Sequence, residues 1–261
     1  MLDVVTSALL RAAGFAHGFS LRGGGLSEGA FASLNLDVHV GDDPARVQEN
    51  HRRFAAAVGY EPERRFEVTQ VHGARCVEVR EGDEPAALRA LEADALVSGV
   101  AGVALGVRTA DCVPVLLADP RSGAVAAAHA GWRGAVAGVV PRAVDLLRDR
   151  FGVDPVTLYC AIGPHIRPDA FEIGEEVAAE IDAAAARCGA ASAVRRSSVA
   201  GAKPHADLAA LLTAQLVALG VPPAHIDDTG GCTFAEPDRF YSHRRDQGHT
   251  GRHFAVIVAR G

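Results

Sequence analysis

Apolar and polar positions along the chain fall into three kinds of run. The first repeats with helical period. It covers residues 44–58, opened by Asp43-Pro44 with proline in the first turn, and residues 135–150, with Val136, Val139, Val140, Val144, Leu146 and Leu147 on one side. It also covers residues 175–187 and residues 207–219, the latter stopped by Gly220. These stretches predict helices. The second kind is a short apolar or β-branched run bounded by glycine, proline or aspartate. Residues 66–71, 76–79, 95–97, 103–107, 157–162 and 254–259 fit it and predict strands. The runs at 95–97 and 103–107, parted by Gly99 and Gly102, read as a strand pair. The third kind is nearly continuous: two apolar strands on either side of Asp119-Pro-Arg-Ser-Gly123, a turn that folds them antiparallel.

Strands therefore occur both as hairpins and separated by helices. That mixture predicts an α+β fold, with mixed or antiparallel sheets layered under outer helices, rather than strict βαβ alternation. Glu81-Gly-Asp-Glu-Pro85 joins a strand to a short helix, and residues 188–204 lack firm periodicity. No repeat of solenoid period is present. Composition breaks nowhere, so residues 1–261 read as one domain.

At 261 residues and 49% hydrophobic, the chain can bury roughly three quarters of its unfolded surface. A net charge of -6 argues against nucleic acid as the main partner. It leaves room for a small anion gripped by local arginines. The N-terminal segment lacks the basic start and apolar centre of a signal peptide, and no apolar run reaches the roughly 18 residues of a membrane span. The expectation is a cytoplasmic protein with no membrane association and no obligate protein partner. Five scattered cysteines, an odd number without a C-x-x-C pair, fit reduced thiols. The glycine-rich Leu21-Arg-Gly-Gly-Gly-Leu-Ser-Glu-Gly29 is not a nucleotide P-loop.

The predicted hairpin carries the chemistry. Cys112 stands at the start of its first strand and His129 at the end of its second, so both fall at one end. A thiolate beside an imidazole can bind a transition metal or form a nucleophile–base pair. Free cysteines are often small core residues, but polar Thr109 and Asp111 flank this one. A third segment, Thr69-Gln-Val-His-Gly73, places His72 at another strand end. Two imidazoles and one thiolate make a three-donor set with a fourth position open, the pattern of a catalytic zinc. Trp132, the single tryptophan, reads as a core anchor rather than a stacking platform. His249 and His253 are four apart, but Gly251 argues against a helix presenting both.

These segments make the chain resemble the YfiH/laccase-domain family of bacterial proteins. The resemblance runs through Ser33-Leu-Asn-Leu36, His39-Val-Gly-Asp-Asp-Pro44, Gln70-Val-His-Gly73, Ala93-Asp-Ala-Leu-Val97, Thr109-Ala-Asp-Cys-Val-Pro114 and His129-Ala-Gly-Trp-Arg-Gly134. It continues through Ile162-Gly-Pro164, Cys232-Thr233, Ser242-His-Arg-Arg-Asp246 and Thr250-Gly-Arg252. His243 stands where the family motif commonly has tyrosine.

The resemblance implies a cysteine-hydrolase-like fold and a metal site on His72, Cys112 and His129. It implies a zinc-dependent purine nucleoside phosphorylase. Such an enzyme converts adenosine, inosine or S-methyl-5′-thioadenosine and inorganic phosphate to free base and a ribose 1-phosphate. Adenosine deamination is an implied side activity; zinc is the expected ion and copper the second choice. Cys112 and His129 are the expected catalytic residues, with Asp111 orienting a ligand or moving a proton. Phosphorolysis needs an anchored phosphate dianion, and the candidate anchors are Arg46, Arg133, Arg244 and Arg245. One rival is a Cys–His hydrolase or amidase linked to cell-wall (peptidoglycan) precursor editing. Another is a copper-dependent polyphenol oxidase. The latter needs many histidines in H-x-H pairs, and the 11 histidines here form none.

Overall fold

The computed structural model describes residues 2–199 and 201–261; Met1 and Ala200, the second inside the aperiodic stretch, lie outside the described residues. The chain begins with β1 (Val4–Val5), α1 (Ala8–Ala12), β2 (His17–Ser20) and α2 (Pro44–Val58). It continues through β3 (Arg65–Phe66), β4 (Cys76–Glu78), α3 (Pro85–Arg89), β5 (Ala95–Ser98), β6 (Ala104–Thr109), β7 (Val113–Ala118) and β8 (Val125–Ala130). Then come α4 (Trp132–Ala137), α5 (Val139–Phe151), β9 (Tyr159–Ile162), α6 (Glu175–Arg187), β10 (Val194–Arg195) and β11 (His205–Ala206). The last elements are α7 (Leu208–Ala218), β12 (Ile226–Asp228) and β13 (His253–Val258).

Two large sheets organise these elements, one ordered β1-β2-β13-β6-β3 and the other β12-β9-β7-β8-β5-β4, while β10 and β11 form a separate two-stranded pair. Both large sheets mix parallel and antiparallel pairs, as an α+β fold requires. Side chains alternate between the faces of a strand, and here both faces are buried. Val113, Val115 and Leu117 of β7, with Ala126, Ala128 and Ala130 of β8, pack under Val140, Val144 and Leu147 of α5 and Leu211 and Leu212 of α7. The intervening Leu116, Ala118, Val125 and Ala127 pack against Phe19, Leu105, Val107, Ala255 and Ile257 of the other sheet. On that sheet's far side α2 sets Phe54 and Ala55 against Ala104, Phe254 and Val256. The order is helix, sheet, sheet, helix. Strands covered on both faces need no polar side, so β7 and β8 read as continuous apolar runs.

Local signals act as the sequence suggests at several element ends. Asp43 caps α2 by accepting the Ala45 N–H, and Gly59 ends it with φ 90°. The β7–β8 hairpin pairs Val113 with Ala130 and Ala118 with Val125.

Three expectations need correction. The runs at 95–97 and 103–107 do not pair: β5 joins β8 and β4, while β6 joins β13 and β3 in the other sheet. The Gly99–Gly102 turn carries the chain between sheets, and strands buried on both faces give no periodic hint of partner. The run at 66–71 is a strand only at Arg65–Phe66. Beyond it the Gln70 side chain substitutes for a strand neighbour, accepting the Arg108 N–H at 2.7 Å and donating to the Arg108 carbonyl at 2.8 Å. The helix expected over 135–150 begins earlier and breaks at Gly138, whose φ of 82° separates α4 from α5. Among the described residues no helix is long and apolar enough to cross a membrane.

Leu116 fills the seam between the sheets without solvent exposure. Leu116→Ala is expected to lower the unfolding free energy by about 2–5 kcal/mol, read as a lower urea midpoint at unchanged slope.

Candidate functional site

The chain crosses from one sheet to the other between β6 and β7, at Ala110-Asp111-Cys112. Asp111 takes φ 88°, which turns the backbone sharply. Both its carboxylate oxygens are engaged by the protein. Oδ1 accepts the Thr233 hydroxyl and Oδ2 the Arg244 backbone N–H, each at 2.6 Å. Its carbonyl also accepts the Ile166 N–H at 3.0 Å. The turn that presents Cys112 is thereby tied to two later segments.

His129 lies on β8 beside this turn, and β5 lies on the other side of β8. The β5–β8 register pairs Ala95 with Ala128, which brings Asp94, one residue earlier, opposite His129. The Asp94 carbonyl accepts the His129 backbone N–H at 2.7 Å. Asp94 Oδ1 accepts from His129 Nδ1 at 2.8 Å. A carboxylate only accepts here, so Nδ1 carries a proton and Nε2 is the nitrogen that can serve a metal. The same carboxylate gathers three successive backbone N–H groups: Val71 at 3.2 Å, His72 at 2.9 Å and Gly73 at 2.7 Å. This nest supports the φ of 60° at His72, a conformation that side chains rarely adopt. Asp94 is fully buried. Burial would raise its pKa, but the His129 ring and the Gly73 and Val71 amides outweigh that and hold it below the usual carboxylate value.

His72, Cys112 and His129 thus converge, their donor atoms all within 4.8 Å of one another. Cys112 Sγ is 3.8 Å from His72 Nε2. The two rings meet edge to face, with centroids 4.8 Å apart. His129 is buried, Cys112 half-buried and His72 exposed, so the cluster opens on one side. Two glycines permit the close approach. A Cβ at Gly131 would lie 2.8 Å from His72 Cδ2 and 3.1 Å from Cys112 Sγ, and one at Gly134 would lie 2.8 Å from the Gly73 carbonyl. Burial alone would push the Cys112 thiol up. The His129 and His72 imidazoles outweigh it and lower the thiol to about 6. Against its own burial, His129 is raised to about 9 by the thiolate and Asp94.

The cluster lines a cleft of about 670 Å³. One wall is polar and comes from the β6–β13 side: Asp37, His39, Gln70, Arg108, Thr109 and Arg252. The other carries Ile166, Phe171, Leu208 and Trp132 with Arg133. Trp132 packs against the core and also lines the cleft, so the anchor role expected for it is half of what it does. Arg133 stacks 4.4 Å from the Trp132 ring centroid, and Arg244 stands 5.4 Å from that of Phe171.

Two of the four expected arginine anchors, Arg133 and Arg244, line the cleft; the other two do not. Arg46 pairs with Glu28 at 2.8 Å instead. Arg245 is saturated by Asp246 and the carbonyls of Thr233, Phe234 and Phe240. Asp94, Arg108 and Arg252 are site residues that the sequence did not mark. Asp94 and Arg252 sit in recognised motifs, but a charged residue beside a strand reads as a solvent-facing boundary until the register is known. His249 is exposed, and His253 is buried with Nε2 accepting the Tyr241 N–H, so those two histidines share no site.

The fold and site define a class, a two-sheet α+β protein with a His–Cys–His cluster in a cleft. The particular family follows from comparison. A family model described as multi-copper polyphenol oxidoreductase laccase matches residues 16–260. The chain belongs to that family, and the resemblance read from its motifs is borne out. It is 41% identical over 251 residues to a protein of Deinococcus radiodurans named purine nucleoside phosphorylase, covering 95% of this chain and 92% of that one. A protein of the same name from Pseudomonas aeruginosa is 43% identical over 240 residues, covering 91% and 90%. Among solved structures, YlmD from Geobacillus stearothermophilus superposes with a TM-score of 0.88 at 37% identity, covering 95% of this chain and 93% of that one. A Bacillus licheniformis hypothetical protein, YfiH, gives 0.83 at 32% identity, covering 93% and 92%.

Two outcomes test this geometry. Asp94→Asn removes the charge and replaces one of the two accepting oxygens with an NH2 donor that cannot serve the His129 ring or the 71–73 amides, and is expected to weaken divalent transition-metal binding about 10- to 100-fold in a chelator competition titration. In metal-free protein the thiolate form of Cys112 dominates above pH 6. Its alkylation rate should therefore rise through about pH 6 and level off below pH 8, while an ordinary thiol is still gaining reactivity.

Proposed function

We propose that this protein is a zinc-dependent purine nucleoside phosphorylase, with adenosine deamination as a side activity. The observation that carries the reading is the convergence of His72, Cys112 and His129 in a cleft lined by apolar side chains, polar side chains and four arginines. The names of the Deinococcus and Pseudomonas relatives support it.

The donor set fits zinc. One soft thiolate and two imidazoles suit it, and Asp94 behind His129 is the carboxylate partner that zinc-binding histidines usually have. The same set is a poor match for multi-copper chemistry. Among the described residues it is the one cluster of three or more potential donors, and several copper centres need several clusters. When bound, zinc supplies Lewis-acid polarisation of a substrate oxygen or of water.

The remaining work falls to side chains. Trp132, Ile166, Phe171 and Leu208 offer an apolar surface suited to a purine face. The arginines of the cleft supply positive charge for a phosphate dianion. In the reaction a phosphate oxygen bonds to ribose C1′ while the C1′–N9 bond breaks and its electron pair leaves on the base. Holding the two reactants in one cleft makes that step effectively unimolecular.

A second reading has its own support. Cys112, His129 and Asp94 form a nucleophile, base and orienting carboxylate in sequence, with the thiol already lowered. A Cys–His hydrolase would use them so, with no metal on the sulfur. Purified protein supplied with zinc, inosine and phosphate is expected to release hypoxanthine and ribose 1-phosphate, with ammonia from adenosine measured separately. Cys112→Ala should lose both bound zinc and turnover; full phosphorolysis in a zinc-free preparation would refute the metal assignment, and hydrolytic turnover without zinc or phosphate would favour the hydrolase.

A further inference from the structure

Of the arginines lining the cleft, Arg252 combines a half-buried side chain with an unpaired guanidinium edge. It follows Thr250 and Gly251 into β13, and its backbone is clamped on both sides. Its N–H donates to Asn35 Oδ1 at 2.9 Å, and its carbonyl accepts the Leu36 N–H at 3.0 Å. Its side chain is half-buried and lines the cleft. Nη1 is held by the carbonyls of Thr250 and Gly251 at 2.9 and 3.1 Å. Among the described residues Nε and Nη2 make no hydrogen bond, and no carboxylate lies within ion-pair distance. These two atoms form the side-on edge of the guanidinium, the edge that grips two oxygens of one anion.

The two acids of the cleft are already committed. Asp37 is paired with Arg108 at 3.1 Å, and Asp111 is held by Thr233 and Arg244. Arg108 is itself occupied, by Asp37, by Glu67 at 3.6 Å and by the Val68 carbonyl. Four arginines line the cleft against two aspartates, in a chain whose net charge is -6. A half-buried cation with no carboxylate in ion-pair contact is costly; burial pulls the Arg252 pKa down against the more distant charges of Asp37, Cys112 and Asp111. An arriving dianion removes that cost.

We propose that the Nε–Nη2 edge of Arg252 anchors inorganic phosphate in the cleft. The assignment rests on the phosphorylase reading for its choice of anion, and on an unpaired guanidinium edge that is half-buried and held in place for its choice of residue. Arg252, Asp111 and Cys112 line the same cleft, so phosphate held there shares it with the candidate metal site. Arg133 and Arg244 take a secondary place, because both are exposed and stacked on aromatic rings.

The test uses the zinc-loaded full chain and inorganic phosphate, with binding read by calorimetry and turnover read on inosine. Arg252→Gln should weaken phosphate binding and raise the phosphate KM by about ten- to a hundredfold, as loss of a charged bidentate contact implies. The inosine KM and zinc content should stay near wild type. Arg252→Lys can still reach the two carbonyls and guards against a folding defect; it should bind phosphate with intermediate strength. Arg46→Gln, outside the cleft, should match wild type. Unchanged phosphate affinity in both Arg252 variants, or no phosphate binding by wild type, overturns the assignment. So does Arg252-dependent binding of adenosine 5′-monophosphate without Arg252-dependent binding of inorganic phosphate. If wild type binds phosphate through Arg252 yet cleaves no nucleoside, the anchor stands and the activity falls. If phosphorolysis runs with an unchanged phosphate KM in the variants, the activity stands and the anchor falls.

Discussion

The site depends on one buried carboxylate. Asp94 is fully enclosed and accepts from four N–H groups, one on the His129 ring and three on the 71–73 backbone. A buried charge left unpaired would be severely destabilising, so the surrounding donors have little freedom to move away. That constraint sets two things together. It fixes which nitrogen of His129 is free, and it holds His72 in a left-handed conformation that a histidine would otherwise avoid. Without it the third donor would sit on an ordinary loop.

The two-sheet architecture supplies the other half. β6 belongs to one sheet and β7 to the other, so the short turn between them must pass through the seam. Cys112 is on that turn. His129 points to the same seam, because Val125 and Ala127 on its face of β8 pack against the opposite sheet. The cleft is where the seam reaches the surface, walled by strand ends on one side and by the starts of α4 and α7 on the other. A sulfur and two rings from distant parts of the chain meet there as a consequence of topology, and not of local sequence spacing.

What was legible in the sequence follows from the range of each interaction. Asp43-Pro44, the 175–187 period and the Asp119–Gly123 turn act within a few residues, and each element they mark is present. The meeting of Cys112 with His129 was readable because one hairpin joins them. Partner choice was not: β5 and β6 are neighbours in sequence, apolar on both faces, and lie in different sheets. The role of Asp94 needed the β5–β8 register, and that of Gln70 needed the sheet it imitates. Arginines pose the same difficulty in sharper form. Arg245 and Arg252 look alike in sequence, yet one is consumed by five hydrogen bonds and the other keeps an edge free.

The lowered thiol serves both readings of the cluster, and this explains why motif and fold alone leave them so close. A thiol near 6 is mostly thiolate at neutral pH. It is then a ready nucleophile, and equally a ready ligand, the proton to be displaced residing on His129. The distinction lies in His72. A nucleophile–base pair with its orienting acid is complete in Cys112, His129 and Asp94, and gains nothing from a second imidazole near the sulfur. Here Gly131 and Gly134 are kept small, and a nest is built under residues 71–73, to bring that imidazole in. A second nitrogen placed 3.8 Å from the sulfur supports the proposed coordination site over an acyl-transfer dyad.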